Sequence, residues 1–356
     1  MGLTERKKEI LREVILKFIN TAEPVSSQNI VDNTNLGLSP ATIRKEMAEL
    51  ENLGYLYHPH TSAGRIPSDK GYRFFVDNYI RKSIENKSSS IEQAIAASKA
   101  SITSEIAKDI TKDMDFEIIL KKSSEHLAKM TNYLSMIVAP EIYNSKFRHV
   151  ELIELNKGQV LLVLITDTGR VFKRNFSVEG LYNNLEYQSA ANILNANLRN
   201  KNLSEVEYSK LKISQSDSYL VPLIKKVIDT IKKIINDTLV YNRVYIHGTS
   251  SILNQPDFFD IKKVHNVLKL LENEYMLVNM LLNLVDGDEL IIKIGSEIFE
   301  EETSDLSLVA SKYKIYDQST GTIGILGPKR MDYFKVVNIV IAFKQNFDEI
   351  FSQNFH

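Results

Sequence analysis

Residues 58 to 67 read HPHTSAGRIP. Two histidines, a Thr-Ser hydroxyl pair, two small residues and one arginine could do three kinds of chemistry: ligate a metal, line a catalytic loop, or touch a partner at a loop tip. In an extended strand, residues i and i+2 point to one side, so His58 and His60 could share a metal. A metal site needs three or four converging ligands, and the nearby carboxylate in the sequence is Asp69, beyond the next turn. The other histidines, His126, His149, His247, His265 and His356, are scattered. No Gly-x-Ser-x-Gly elbow, His-Glu-x-x-His pair or phosphate-binding Walker loop is present. The glycine-rich GTIGILGPK (321 to 329) has the wrong spacing and reads as an apolar strand with packing glycines. No catalytic constellation emerges, so the expectation is a non-enzyme without metal or cofactor.

A contact tip remains. Thr61 and Ser62 offer hydroxyls, and Ala63 and Gly64 would let the backbone approach a phosphate closely. Arg65 can bond phosphate or enter a narrow minor groove. The plain alternative is a hairpin turn with one solvated arginine. What precedes the tip decides between them.

Residues 4 to 20 predict a helix capped by Thr4, with Ile10, Leu11, Val14, Ile15, Phe18 and Ile19 on one face. TAEPVSS interrupts it, and Ser26 or Ser27 can cap a short second helix to about Thr34. Ser39-Pro40 opens a third, with serine as N-cap and proline at the first helical position, where its missing N–H costs nothing. It ends near Leu53, with Gly54 just beyond. Ile43, Met47 and Leu50 form its apolar side. Ala41, Lys45, Ala48 and Asn52 lie opposite, flanked by Thr42 and Arg44. A helix that reads a major groove needs this layout, although any surface helix has a polar face. Tyr55 to His58 alternates as a short strand with Leu56 inward, and Arg65-Ile66 begins its return. Ser68 and Asp69 then open a helix with Tyr72, Phe75, Val76, Tyr79, Ile80 and Ile84 on one face. Three helices, a hairpin and a linking helix follow the winged-helix order, with the decapeptide as the wing. In that context DNA contact is the better reading of the tip.

Charge is less direct. The formal net charge is −1, where a nucleic-acid binder is often basic. Up to Gly54, acidic and basic residues balance. From Tyr55 to Arg73 the cations Arg65, Lys70 and Arg73 face one anion, Asp69. There is no cysteine, which excludes disulfides, cysteine-bound zinc, iron–sulfur clusters and thiol catalysis. MGLTERKKEI is charged at once and lacks the apolar core of a secretory signal, so a cytoplasmic chain is expected. VLLVLI (160 to 165) is strand length, far short of the ~20 residues that span a bilayer, so no membrane association is expected.

Beyond a polar linker at 86 to 93, helices are expected at about 91 to 110 and 116 to 135. Strands follow at 149 to 156, 159 to 167 and 171 to 178, with Asp167-Thr168-Gly169 as a hairpin turn. A helix covers about 185 to 200. Helices at 217 to 240 and 261 to 284 come next, then strands at 289 to 297, 307 to 315 and 322 to 328, and a last helix from Asp332. Strands on both sides of a helical block suggest one α/β unit interrupted by an insertion; a single mixed domain covering 150 to 330 is the alternative.

The stretch LGLSPATIRKEMAELENLGYLYHPHTSAGRIPSDKGYRFFVD closely resembles the N-terminal signature of the HrcA family of heat-inducible transcription repressors. GTSSILNQPDF (248 to 258), IGSE (294 to 297) and GPKRMDY (327 to 333) resemble that family in order, so the resemblance spans nearly the whole chain. Ser26 stands where members often have glycine, and Ser68 where threonine is common; both keep capping chemistry. Tyr57 and His58 are less typical, and their roles stay open. The resemblance implies an α+β multidomain protein: a winged helix-turn-helix (1 to 85), a GAF-like α/β domain (86 to 202 and 288 to 356) and an inserted, mostly helical dimerisation domain (203 to 287). It implies a homodimer that represses chaperone operons at an inverted-repeat operator in double-stranded DNA, with activity tuned by the GroE chaperonin. The DNA-contacting residues expected are Ala41, Thr42, Arg44, Lys45, His60, Thr61, Ser62, Gly64, Arg65 and Arg73. The alternative is a winged-helix regulator controlled by a small-molecule effector in its GAF-like domain.

Overall fold

The computed structural model describes residues 2–34, 37–60, 63–109, 115–140, 145–180, 182–240, 244–284, 290–298, 304–315 and 319–355. The chain mixes helices and antiparallel sheets. The N-terminal unit begins with α1 (Glu5–Thr21), α2 (Ser27–Asn33) and α3 (Pro40–Asn52). Each starts where a side-chain oxygen can accept an orphan backbone N–H: Thr4 takes Lys7, Ser26 takes Asn29, and Ser39 takes Thr42. Such caps contribute about 1 kcal/mol each. The hairpin strands β1 (Leu56–Tyr57) and β2 (Ile66–Pro67) are only two residues long. A third short edge supports them, because Val25, between α1 and α2, exchanges two 2.9 Å backbone hydrogen bonds with Arg65. Ser68 caps α4 (Asp69–Phe75), which runs on through a π-helical stretch (Val76–Arg81) into α5 (Lys82–Glu85).

Next come α6 (Ser89–Asp109), α7 (Phe116–Thr131), β3 (Leu134–Val138), β4 (Phe147–Asn156), β5 (Gln159–Thr166), β6 (Val171–Ser177), α8 (Asn184–Leu198) and α9 (Val221–Val240). They are followed by β7 (Val244–His247), α10 (Thr249–Leu253), α11 (Ile261–Glu272), α12 (Glu274–Leu284), β8 (Ile291–Ile294), β9 (Leu306–Ile315), β10 (Ser319–Pro328) and α13 (Tyr333–Phe355). One five-stranded sheet has the order β7-β3-β10-β9-β8, all pairs antiparallel. Side chains alternate between its faces, as the two-residue strand period demands. Ile137, Val309, Ile323 and Ile325 pack with α6, α7 and α13, while Met136, Val138, Leu308 and Leu326 pack with α10 to α12.

The insertion lies elsewhere than the sequence pattern indicates. β3 and β7 pair directly, and the segment between them, β4 to α9, forms a separate three-stranded sheet with its own core. Val150, Leu162 and Leu164 pack there against Leu194, Ile224 and Val227. The inserted unit is therefore the β4–α9 segment, not 203 to 287, and it is mixed rather than mostly helical. The helices after residue 260 cover the second face of the main sheet instead. Residue 203 falls inside the insertion, after its sheet and its first covering helix α8 and before α9.

Residues 1 to 85 form the expected elements, but the polar segment after them does not free them from the body. α6 begins at Ser89, and one apolar core runs without interruption from Ile10 and Tyr72 to Tyr333 and Phe347.

Candidate nucleic-acid interface

Helix α3 buries Ile43, Met47 and Leu50 against the N-terminal unit. This fixes what faces outward: Ala41, Arg44 and Lys45 are exposed and Thr42 is half-buried. The Thr42 hydroxyl lies 2.9 Å from that of its own cap, Ser39. The other end of the helix is also held. Lys70 donates to the Leu53 carbonyl at 2.7 Å and Ser68 to that of Gly54 at 2.7 Å.

The balanced charge count conceals a local imbalance. Every acid on α3 is paired. Glu46 meets Lys7 at 3.2 Å and Arg6 at 3.5 Å, and Glu49 meets Lys7 at 2.8 Å. The Lys7 hydrogen bond and charge hold the Glu49 carboxyl below the usual range. Glu51 receives Arg65 Nε at 3.1 Å and lies 2.5 Å from His58 Nδ1. Burial pushes the Glu51 carboxyl up, but hydrogen bonds from His58 and Arg65 and their charges outweigh it, and the net direction is down. Arg44 and Lys45 form no ion pair among the described residues. Both cations stay exposed on the outer side of α3, with Lys45 close enough to Glu49 for its charge to help lower that carboxyl.

Glu51 is also the carboxylate that sequence proximity misses beside His58: the partner is seven residues upstream, across the turn out of α3. It does not make a metal site. Its second oxygen is taken by a guanidinium, and no cluster of three or more metal-ligating side chains occurs among the described residues. The open role of His58 is thus filled by a contact between wing and helix.

At the wing, His60 is exposed and its carbonyl accepts from Ala63 N at 3.0 Å, which closes the tip. Thr61 and Ser62 lie outside the described residues. Gly64 is small for a reason other than phosphate approach. A Cβ there would stand 2.5 Å from the carbonyl carbon and oxygen of Val25, so the glycine is required by the backbone bridge beneath the wing. Arg65 is half-buried: Nε is held by Glu51 while the wing backbone is held by Val25.

Arg73 does not join this surface. Its guanidinium donates to Glu297 through Nε at 2.7 Å and again through Nη2, to the Ile292 carbonyl at 2.7 Å, and to Asp77 at 3.3 Å. With all three nitrogens engaged by the protein, it is removed from the DNA-contacting set. Tyr72 packs rather than reaches out; it is 1% exposed and its ring lies 6.2 Å from that of Tyr333. Sequence reasoning misses Val25, Lys7 and Glu51, because each acts on a partner brought to it by the fold.

Residues 117–337 match the model of the HrcA protein C-terminal domain. A heat-inducible transcription repressor HrcA of Pelotomaculum thermopropionicum is 31% identical over 353 residues, covering 98% of this chain and 97% of that one. The protein of the same name from Natranaerobius thermophilus is 37% identical over 350 residues, covering 96% and 94%. The fold is similar to a crystal structure described as a hypothetical protein, with a TM-score of 0.66 at 22% identity, covering 99% of this chain and 100% of that one.

Proposed function

Because the chain belongs to the HrcA family of heat-inducible transcription repressors, we propose that it represses by occupying DNA with α3 in the major groove and the wing on the adjacent backbone or minor groove. It is a transcription repressor of the heat-shock response, a regulator rather than an enzyme. The observation that carries the docking proposal is the pairing of Glu46, Glu49 and Glu51 with cations from outside α3, while Arg44 and Lys45 are exposed on its outer face and form no ion pair among the described residues. The start of α3 offers backbone N–H groups to a phosphate beside Thr42, and Ala41 is small enough to meet a thymine methyl. His60, Thr61, Ser62, Gly64 and Arg65 form the wing contact, with Gly64 acting through the backbone bridge. Nε of Arg65 is held by Glu51, and the proposal gives the rest of its guanidinium the phosphate contact.

The main five-stranded unit takes the GAF-like part, and the β4–α9 insertion takes dimerisation. The outer face of its sheet supports the second assignment. Ile153 and Val171 are 40% and 43% exposed, with half-buried Leu161, Val163 and Ile165 between them. Glu151, Val163 and Lys173 form one row across the sheet. A two-fold axis along β5 lays Glu151 of one copy over Lys173 of the other, so the face is complementary to itself. A dimer of this kind matches an inverted-repeat operator upstream of chaperone operons. The GroE chaperonin is the proposed partner that keeps the repressor active, and the cytoplasm its compartment. No helix among the described residues is long and apolar enough to cross a membrane.

Footprinting on the promoter of the organism's own chaperonin operon tests the reading, with and without chaperonin, for the natural chain and Lys45→Ala. Protection by the natural chain and its loss in the variant is expected. Equal protection by both would remove α3 from the groove.

A further inference from the structure

The sequence motifs outside the winged helix, at 248–258, 294–297 and 327–333, are far apart in the chain and meet in one place. They close on α1 and α4 of the N-terminal unit. Arg73 of α4 is held by Glu297 and by the Ile292 carbonyl. Asp69 of α4 accepts from Lys329 Nζ at 2.7 Å and from the Ser296 backbone N–H at 3.2 Å. Arg330 is fixed by Asp257 at 2.8 Å and donates to the Ile19 carbonyl in the last turn of α1 at 3.1 Å. That last bond satisfies a helix-end carbonyl that α1 cannot satisfy itself.

Steric fit points the same way. Gly295 adopts φ +52°, and a Cβ there would lie 2.3 Å from the Asp69 carboxylate oxygen. The positive φ favours glycine by itself, and the missing side chain leaves room for the Asp69 carboxylate. Beneath the polar contacts, Tyr72 and Tyr333 are both buried in the core that the two units share. α1 and α4 are thus gripped through two ion pairs, Arg73–Glu297 and Asp69–Lys329, and one hydrogen bond from Arg330 to the Ile19 carbonyl, over a continuous apolar floor. A polar ring on a shared core orients a unit rather than tethering it.

We infer that this ring, with Asp69, Arg73, Glu297, Lys329 and Arg330 as positioning residues, sets which spacing between operator half-sites the repressor accepts. The inference rests on the proposed dimer and operator. One base pair more or less between half-sites moves the second site by roughly 3.4 Å and turns it by about 35°. A dimer whose two reading helices are each fixed to the body cannot follow that change. One whose winged helices swing can.

The test uses the full chain and duplexes built from the footprinted promoter sequence: one half-site alone, and inverted repeats whose spacer is lengthened or shortened in single base pairs. The natural chain should favour one spacing at least tenfold. Asp69→Asn with Glu297→Gln, which removes two charges and keeps the shapes, should bind the single half-site within about twofold of the natural chain and spread its affinity across neighbouring spacings. Lys329→Gln is the milder variant if the double change lowers expression or melting temperature. A sharp, unchanged spacing preference in folded variants overturns the inference and leaves the proposed repression intact. So does a natural chain with no spacing preference. Failure of the natural chain to bind any of the duplexes overturns the proposed function itself.

Discussion

Glu51, near the end of α3, holds the wing residue Arg65 by a 3.1 Å hydrogen bond from Nε to Oε2. A carboxylate thus sits within the surface proposed to face phosphate. Two effects oppose each other when it is changed to glutamine. Removing the negative charge favours any polyanion; removing the clamp loosens the wing. Arg65 and Glu51 side chains are 13% and 29% exposed, so the pair is screened and contributes about 1 kcal/mol or less. Glu51→Gln should therefore weaken operator binding by roughly three- to fivefold, following that ~1 kcal/mol, and leave or improve binding to a random duplex. Fluorescence anisotropy on both duplexes reads the difference. Equal changes on the two would show that Glu51 acts only as a charge.

Gly64 lies against the backbone of Val25. Alanine there places a methyl 2.5 Å from main-chain atoms that cannot rotate away. Either the paired 2.9 Å bonds between Val25 and Arg65 open or the wing shifts. A cost of about 1–3 kcal/mol is expected for this overpacking, read as a lower urea midpoint. Ala63→Gly is the control, because it adds no atom. A Gly64→Ala chain as stable as the natural one would mean that the bridge yields freely.

Acid should loosen the wing, and neutral pH should not. Burial raises the Glu51 carboxyl, but its bonds to His58 and Arg65 bring the folded value below that of a free glutamate, and Lys7 does the same for Glu49. A carboxylate depressed in the folded state stabilises fully above its unfolded value of about 4.3. That contribution is lost as pH falls through the lower folded value. Amide exchange at Val25 and Arg65, corrected for intrinsic rates, should show steady protection above about pH 5 and loss only below about 4. Protection that fades already between pH 7 and 6 would contradict the assignment to Glu51.

Val163 sits at the centre of the open face of the inserted sheet, in one row with Glu151 and Lys173. Val163→Asp puts a charge where the two copies would meet, and a buried unpaired charge at an interface is strongly unfavourable. Light scattering should report monomers for this variant and dimers for the natural chain. Its thermal unfolding should change little, since the residue points away from the insert's own core. A persistent dimer would move the interface to another surface.

Much of the N-terminal unit is legible in local sequence. Ser39, Ser68 and Thr4 cap helices because a side-chain oxygen reaches N–H groups two or three residues ahead, a relation within one turn. Ile43, Met47 and Leu50 share a face because the helical period alone places them there. The strands at 159–166 and 171–177 follow from alternation and a turn at Gly169. The strand at 134–138 is harder to see. All five of its residues are buried, so it lacks alternation, and it follows α7 after only Asn132 and Tyr133.

The amino-acid order alone thus determined the elements of the N-terminal unit, the outward side of α3, and the motifs that mark the family. Tertiary structure decided where the insertion begins, because only pairing of β3 with β7 shows that the chain leaves one sheet and returns to it. It decided that Arg73 binds Glu297 instead of facing outward with α3, and that Gly64 serves Val25. It also decided that the three acids of α3, which outnumber its own cations, are each met by a cationic partner from outside the helix. Each of these depends on which groups from distant parts of the chain come within a few ångströms, and charge and steric exclusion act over that distance, not over sequence separation.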